Sequence, residues 1–135
     1  MIIEVVVCVL IKKKKILISL RPKGKDFSGY YEFPGGKMNQ NEFIIEALFR
    51  EINEELGVDI DLHNLNFLKS YEIFQKKKKI RLHFFLCRSW KGRIFSKEGQ
   101  LIKWIYPNEL KNYNTLKSNR KFIKFLLYFI FPTTY

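Results

Sequence analysis

The sequence predicts an α/β fold built on a central mixed sheet. Three observations lead there. Runs rich in Val and Ile lie before, between and after helical segments; a strongly amphipathic helical segment is bracketed by glycines; and no heptad or internal repeat persists. With 135 residues the chain is long enough for one domain, spanning 1–135, around one core. Hydrophobic residues make up 47% and aromatic residues 16%, a composition that excludes disordered and collagen-like chains.

Each element follows from its own pattern. Residues 2–11 read as a buried strand, the lysines at 12–15 as a solvated loop, and residues 16–20 (ILISL) as the returning strand of a hairpin. Residues 21–29 are irregular, with Pro22, Gly24 and Gly29, and residues 30–33 are a short extended piece stopped by Pro34-Gly35-Gly36. Residues 43–56 form a helix, with Gly57 placed as its left-handed C-terminal residue. Its apolar stripe, Ile45, Leu48, Phe49, Ile52 and Leu56, is expected to dock on the sheet. Residues 66–75 and 80–88 make a second hairpin around the lysines at 76–79. In its second strand Ile80, Leu82, Phe84 and Leu86 share one face. Residues 101–106 are a last strand ended by Pro107, and residues 119–131 a terminal helix docked on the core.

Cys8 and Cys87 lie in apolar runs without metal-ligand spacing and read as reduced core residues. The apolar N-terminal stretch carries Glu4 and precedes its lysines, the reverse of a signal peptide. The apolar run at 122–131 is interrupted by Lys124 and is half of the roughly 20 residues a bilayer crossing needs. No membrane segment is expected, and the expected compartment is the cytoplasm. Lys+Arg 25 against Asp+Glu 13 leaves a formal net charge of +12, a field that draws phosphates on nucleotides, nucleic acid or membranes alike. Solvated hairpin loops and AT-rich coding explain the lysines equally well, so charge alone assigns no partner.

The chemistry is concentrated in residues 36–58, GKMNQNEFIIEALFREINEELGV. A helix advances about 100° per residue, so Glu51, Glu54 and Glu55 emerge on one face. Three carboxylates there repel one another and oppose the negative end of the helix dipole. Stability does not explain them; a hard divalent cation that takes oxygen ligands does, and a solvated acidic face is the other reading.

The segment resembles the Nudix box, G-x5-E-x7-R-E-U-x-E-E-x-G-U with U aliphatic. Gly36, Glu42, Arg50, Glu51, Ile52, Glu54, Glu55, Gly57 and Val58 fill every specified place. The resemblance implies the family's α/β/α sandwich and hydrolysis of a nucleoside diphosphate linked to another group. It implies that Glu51, Glu54 and Glu55 hold Mg²⁺, or Mn²⁺, against the pyrophosphate, with the Gly35 carbonyl as a further ligand. Arg50 would orient the glutamates through ion pairs and Glu42 would support the loop–helix junction.

The likeness extends to MutT-type members, which hydrolyse oxidised guanine nucleotides. EFPGGK at 32–37 and W-x-G, KEGQ and Trp104 downstream are similar to their segments, whereas residues 111–118 are unlike their proline-bearing pattern. By that resemblance Glu98, on a loop outside the box, is a candidate metal ligand or general base, or else an ordinary loop acid. Asn119 would read the purine edge, although Asn suits a helix N-cap equally well. Arg21 would lie near base and sugar, Phe33 and Ile80 would line the base pocket with Val5 as a weaker candidate, and Lys37 would meet phosphate.

The expected activity is Mg²⁺-dependent cleavage of 8-oxo-dGTP to 8-oxo-dGMP and pyrophosphate by a monomer that needs no nucleic acid. A metal-activated water would attack the β-phosphorus, and the oxidised base would be kept out of new DNA. One alternative is another nucleotide, such as a pyrimidine triphosphate, or a capped RNA end. A non-catalytic module that binds nucleic acid through its basic surface is a further alternative. It is disfavoured because the box glutamates are all present and the lysines cluster without interleaved aromatics.

Overall fold

The structure, a computed structural model, describes residues 2–24 and 26–132; Met1 and residues 133–135, the ends of the expected 1–135 span, lie outside the described residues. Its axis is β1 (Ile2–Lys12). Val6, Cys8 and Leu10 point into one core and Val7 and Val9 into the other, which is why this strand reads as an unbroken apolar run. β1 pairs parallel with β7 (Lys78–Cys87), from Ile2↔Lys79 to Leu10↔Cys87, and antiparallel with β4 (Gly35–Lys37) on its other edge. β6 (Leu65–Gln75) flanks β7 antiparallel, so the sheet is mixed, as expected. Beyond the first turn, β2 (Lys15–Leu20) carries β3 (Tyr31–Glu32) on one side and β9 (Ile102–Ile105) on the other. The short strands β5 (Asp59–Ile60) and β8 (Trp90–Lys91) pair separately, and neither they nor β4 has a sequence signal of its own.

Helices cover both faces. On one, α1 (Ile44–Leu56) lays Ala47, Leu48, Ile52 and Leu56 on Val6, Cys8 and Phe85. On the other, Phe122 of α2 (Arg120–Phe125) and Leu126 pack on Val7, Val9 and Phe84. α2 continues through one wide turn, Leu126–Ile130, in which the Phe131 N–H donates to the Leu126 carbonyl at 2.8 Å. The Phe122 ring stacks on Phe84 at 3.7 Å and 10° and meets Phe33 edge-on at 5.8 Å. Burying such a ring contributes about 2–3 kcal/mol.

Several expectations change. Ile45 is exposed rather than docked, because the first turn of α1 meets the core through Ile44 instead. The lysine loops are shorter than expected: only Lys13-Lys14 and Lys76-Lys77 turn, all four at positive φ, while their neighbours extend the strands. The terminal helix starts at Arg120 after a short 3-10 turn, and only part of it is covered, with Tyr128 and Phe129 exposed. Cys8 and Cys87 are free and buried, as expected. One buried polar group went unread: the His83 ring is bracketed by Ser70 Oγ and Glu4 Oε1, each at 2.7 Å.

Candidate active site

The geometry of α1 is set at both ends. At its start the Glu46 carboxylate accepts the Phe43 N–H at 2.9 Å. At its end Gly57 adopts φ 72 and donates to the Asn53 carbonyl, and a side chain there would meet the Phe95 ring at 2.4 Å. The N–H groups of Phe95 and Lys97 donate to the Leu56 and Glu55 carbonyls at 3.1 and 2.9 Å. These bonds satisfy carbonyls of the last helical turn and carry the following loop, with Glu98, to the helix face.

That face borders a cavity of about 360 Å³. One end is lined by Glu51, Glu55, Glu98, Gly35, Gly36 and Lys37, and the remainder by Arg21, Phe33, Ile80, Asn119 and Val5 among others. Residues from seven separate stretches of sequence are thus brought to one space of nucleotide size. Gly36 leaves room for the Glu51 carboxylate: a Cβ there would lie 2.4 Å from Glu51 Oε2 and would push that group aside.

Glu54 does not line this cavity, and its side chain is 52% exposed. Helical geometry accounts for the split. Glu51 and Glu55 lie about 40° apart around the axis, whereas Glu54 falls some 60° to the far side of Glu51. Arg50 spans the difference. Its Nη1 reaches Glu51 Oε1 at 2.9 Å and Glu54 Oε2 at 3.2 Å; Nε and Nη2 grip Glu42 at 2.7 and 2.9 Å, and Nη2 also meets the Lys37 carbonyl. The Arg50 guanidinium and the Asn39 N–H hold the Glu42 carboxyl down at about 2.

Glu55 is the opposite case. Burial pushes its carboxyl up to about 8 even though the Gly35 N–H donates to Oε2 at 2.8 Å, and the charges of Glu51, Glu32 and Glu98 add to the effect. Burial also raises Glu51, against the pull of Arg50. Among the described residues no three His, Cys, Asp or Glu side chains close into a ready cation cage. The donor chemistry nevertheless fits a divalent cation. Glu55 is a desolvated carboxyl group with no cationic partner among the described residues, Glu51 and Glu98 face the same cavity, and all are oxygen donors of the kind Mg²⁺ and Mn²⁺ take. Gly35, whose carbonyl the resemblance implies as a ligand, lines the cavity, and its N–H donates to Glu55 Oε2.

Asn119 is 5% exposed and occupies the backbone N-cap position of α2, but its side chain makes no capping bond and lines the cavity, so the capping reading is overturned. Arg21 donates from Nη1 to both Glu32 oxygens, at 3.2 and 3.3 Å. Glu32 itself lines the cavity and was missed as a site residue. Its signal was present, a carboxylate in an extended piece directly before Phe33-Pro34-Gly35-Gly36. Phe27, Gln75 and Ser118 also line the cavity and carry no local signal.

The NUDIX domain profile matches residues 1–126. This chain belongs to the Nudix family. It is a Nudix hydrolase of the MutT kind, as its relatives attest. An 8-oxo-dGTP diphosphatase of Buchnera aphidicola subsp. Schizaphis graminum is 42% identical over 128 residues, 95% of each chain. A CTP pyrophosphohydrolase of Escherichia coli is 32% identical over 111 residues, 82% of this chain and 81% of that one. A MutT structure, from work on the Aliivibrio salmonicida and Vibrio cholerae proteins, superposes with a TM-score of 0.80 at 26% identity, over 93% of this chain and 97% of that one. Among the described residues no helix is long and apolar enough to cross a membrane.

Proposed function

We propose that this Nudix hydrolase, one domain over residues 1–135, is a Mg²⁺-dependent pyrophosphohydrolase that converts 8-oxo-dGTP to 8-oxo-dGMP and pyrophosphate. It would act as a cytoplasmic monomer that keeps the oxidised base out of DNA. The observation that carries the reading is the convergence of Glu51, Glu55 and Glu98 with Asn119 in one cavity, in a chain 42% identical to an 8-oxo-dGTP diphosphatase.

The residues divide the work. Glu51, Glu55 and Glu98 hold Mg²⁺, or Mn²⁺ in its place, with Glu54 tied to Glu51 through Arg50 from outside the cavity. That ion supplies charge neutralisation on the phosphoryl oxygens and acidifies a water. Arg50 and Glu42 fix the carboxylates so that little reorganisation remains at the moment of reaction. Lys37 and Arg21 attract the polyphosphate and sugar. Phe33 and Ile80 exclude water from around the base, and the Asn119 amide, which donates and accepts at once, reads the edge of a modified guanine.

The second reading, a pyrimidine triphosphate, is favoured by the likeness to a CTP pyrophosphohydrolase. Turnover over a panel containing 8-oxo-dGTP, dGTP and CTP separates the two. A preference for 8-oxo-dGTP over dGTP supports the first, and a preference for CTP supports the second.

A further inference from the structure

The three other cavities described all border the β1–β2 hairpin, away from the catalytic face. One, of about 370 Å³, is lined by Lys12, Lys13, Lys15, Trp104 and Tyr106. Its neighbour, of about 260 Å³, shares Lys12 and Trp104 and adds Arg93 and Trp90. Neither has an acidic residue in its lining, and among the described residues none of these four cations is in an ion pair. The rings are stacked or open: Trp90 lies against Trp104 at 6.1 Å and 21°, and Tyr106 is 47% exposed with the Lys15 ammonium 5.1 Å from its ring centroid. The lysines that stand alone in sequence are therefore interleaved with aromatics in space. Along β1, Val7 borders the catalytic cavity and Lys12 this surface, about 17 Å apart at the rise of a strand.

We propose that this surface binds single-stranded nucleic acid, with phosphates on Lys12, Lys13, Lys15 and Arg93 and an unpaired base on Tyr106. Unpaired cations without acidic neighbours complement a polyanion. The exposed ring selects a strand whose bases are free to stack, because a duplex keeps its bases stacked on one another. The surface adds a tether that brings the hydrolase to nucleic acid, and it is separate from the residues that carry hydrolysis.

The test is fluorescence anisotropy of labelled oligo-dT and oligo-rU, each of about 20 nucleotides, titrated with the full chain between about 50 and 200 mM salt. Binding of either strand is expected, weakening with salt. Lys12→Gln/Lys15→Gln should weaken it at least about tenfold and flatten the log–log salt slope by about 1.4, at roughly 0.7 per phosphate contact. Tyr106→Ala should weaken it about tenfold while Tyr106→Phe retains it. Triphosphate hydrolysis should be unchanged in all of these variants. The matched control, Lys77→Gln/Lys78→Gln at the other hairpin, should leave binding unchanged. The proposal is overturned if no strand binds at low salt, if the control loses as much as the test pair, or if Tyr106→Ala binds as wild type. It is equally overturned if a duplex, or vesicles of three parts phosphatidylcholine to one part phosphatidylglycerol, are bound as tightly as the single strand.

Discussion

The Gly35 N–H donates to Glu55 Oε2 at 2.8 Å, tying the loop before the helix to its last turn. That bond is a carboxylate's main compensation for near-complete burial, and it does not suffice, since the Glu55 carboxyl remains up at about 8. In the unfolded chain the same group titrates near the ordinary glutamate value of 4.5. The folded state therefore holds the proton more tightly. The stability that follows is complete below about 4.5 and is lost as pH rises through about 8, at a cost of about 2–4 kcal/mol. Thermal unfolding of metal-free protein should show a midpoint that falls between about pH 4.5 and 8 and levels off above that, and Glu55→Gln should remove most of that fall. Mg²⁺ binding at pH 7 should release protons, measured as a dependence of the calorimetric enthalpy on the ionisation enthalpy of the buffer.

Arg50 serves Glu42, Glu51 and Glu54 with a planar fork, which an ammonium cannot reproduce. Arg50→Lys should keep the fold and lower kcat at least about tenfold with a smaller change in KM, because the carboxylates lose their orientation while the cavity walls stay in place. Steady-state kinetics beside a circular dichroism spectrum checks both parts.

Lys13, Lys14, Lys76 and Lys77 take the left-handed conformations of two-residue hairpin turns, which Asn-Gly adopts with less strain. Replacing Lys13-Lys14 or Lys76-Lys77 by Asn-Gly should stabilise the protein by about 1 kcal/mol per turn, raising the melting midpoint by roughly 3–5 °C. Differential scanning calorimetry decides it.

Phe122 is fully buried between Phe84 and Phe33. Phe122→Ala should cost about 3–5 kcal/mol in urea unfolding. Phe122→Leu should cost less, because it keeps most of the volume.

What was legible in the sequence was what is local. The box lies in one continuous segment, so helical periodicity alone placed Glu51 and Glu55 on one face, and the alternation in β7 placed Leu82, Phe84 and Leu86 in one core. What was not legible depends on partners distant in the chain. The parallel pairing of β1 with β7 brings Glu4 to His83 and the pairing of β6 with β7 brings Ser70, and the two together make a buried histidine acceptable. Glu32 became a site residue only once β3 had been paired with β2 and Arg21 brought alongside. Glu54 fell outside the cavity because three carboxylates fan out over an arc wider than the opening they share. The lysines of the first hairpin met Trp104 and Tyr106 only after β9 had paired with β2.

The most direct measurement is a product assay on 8-oxo-dGTP with Mg²⁺, run with wild type and with Glu51→Gln. The account predicts 8-oxo-dGMP and pyrophosphate from wild type, and a rate lower by at least about a hundredfold from the variant, whose fold is intact. Undiminished cleavage by Glu51→Gln, or no cleavage of any nucleoside triphosphate by wild type, would contradict it.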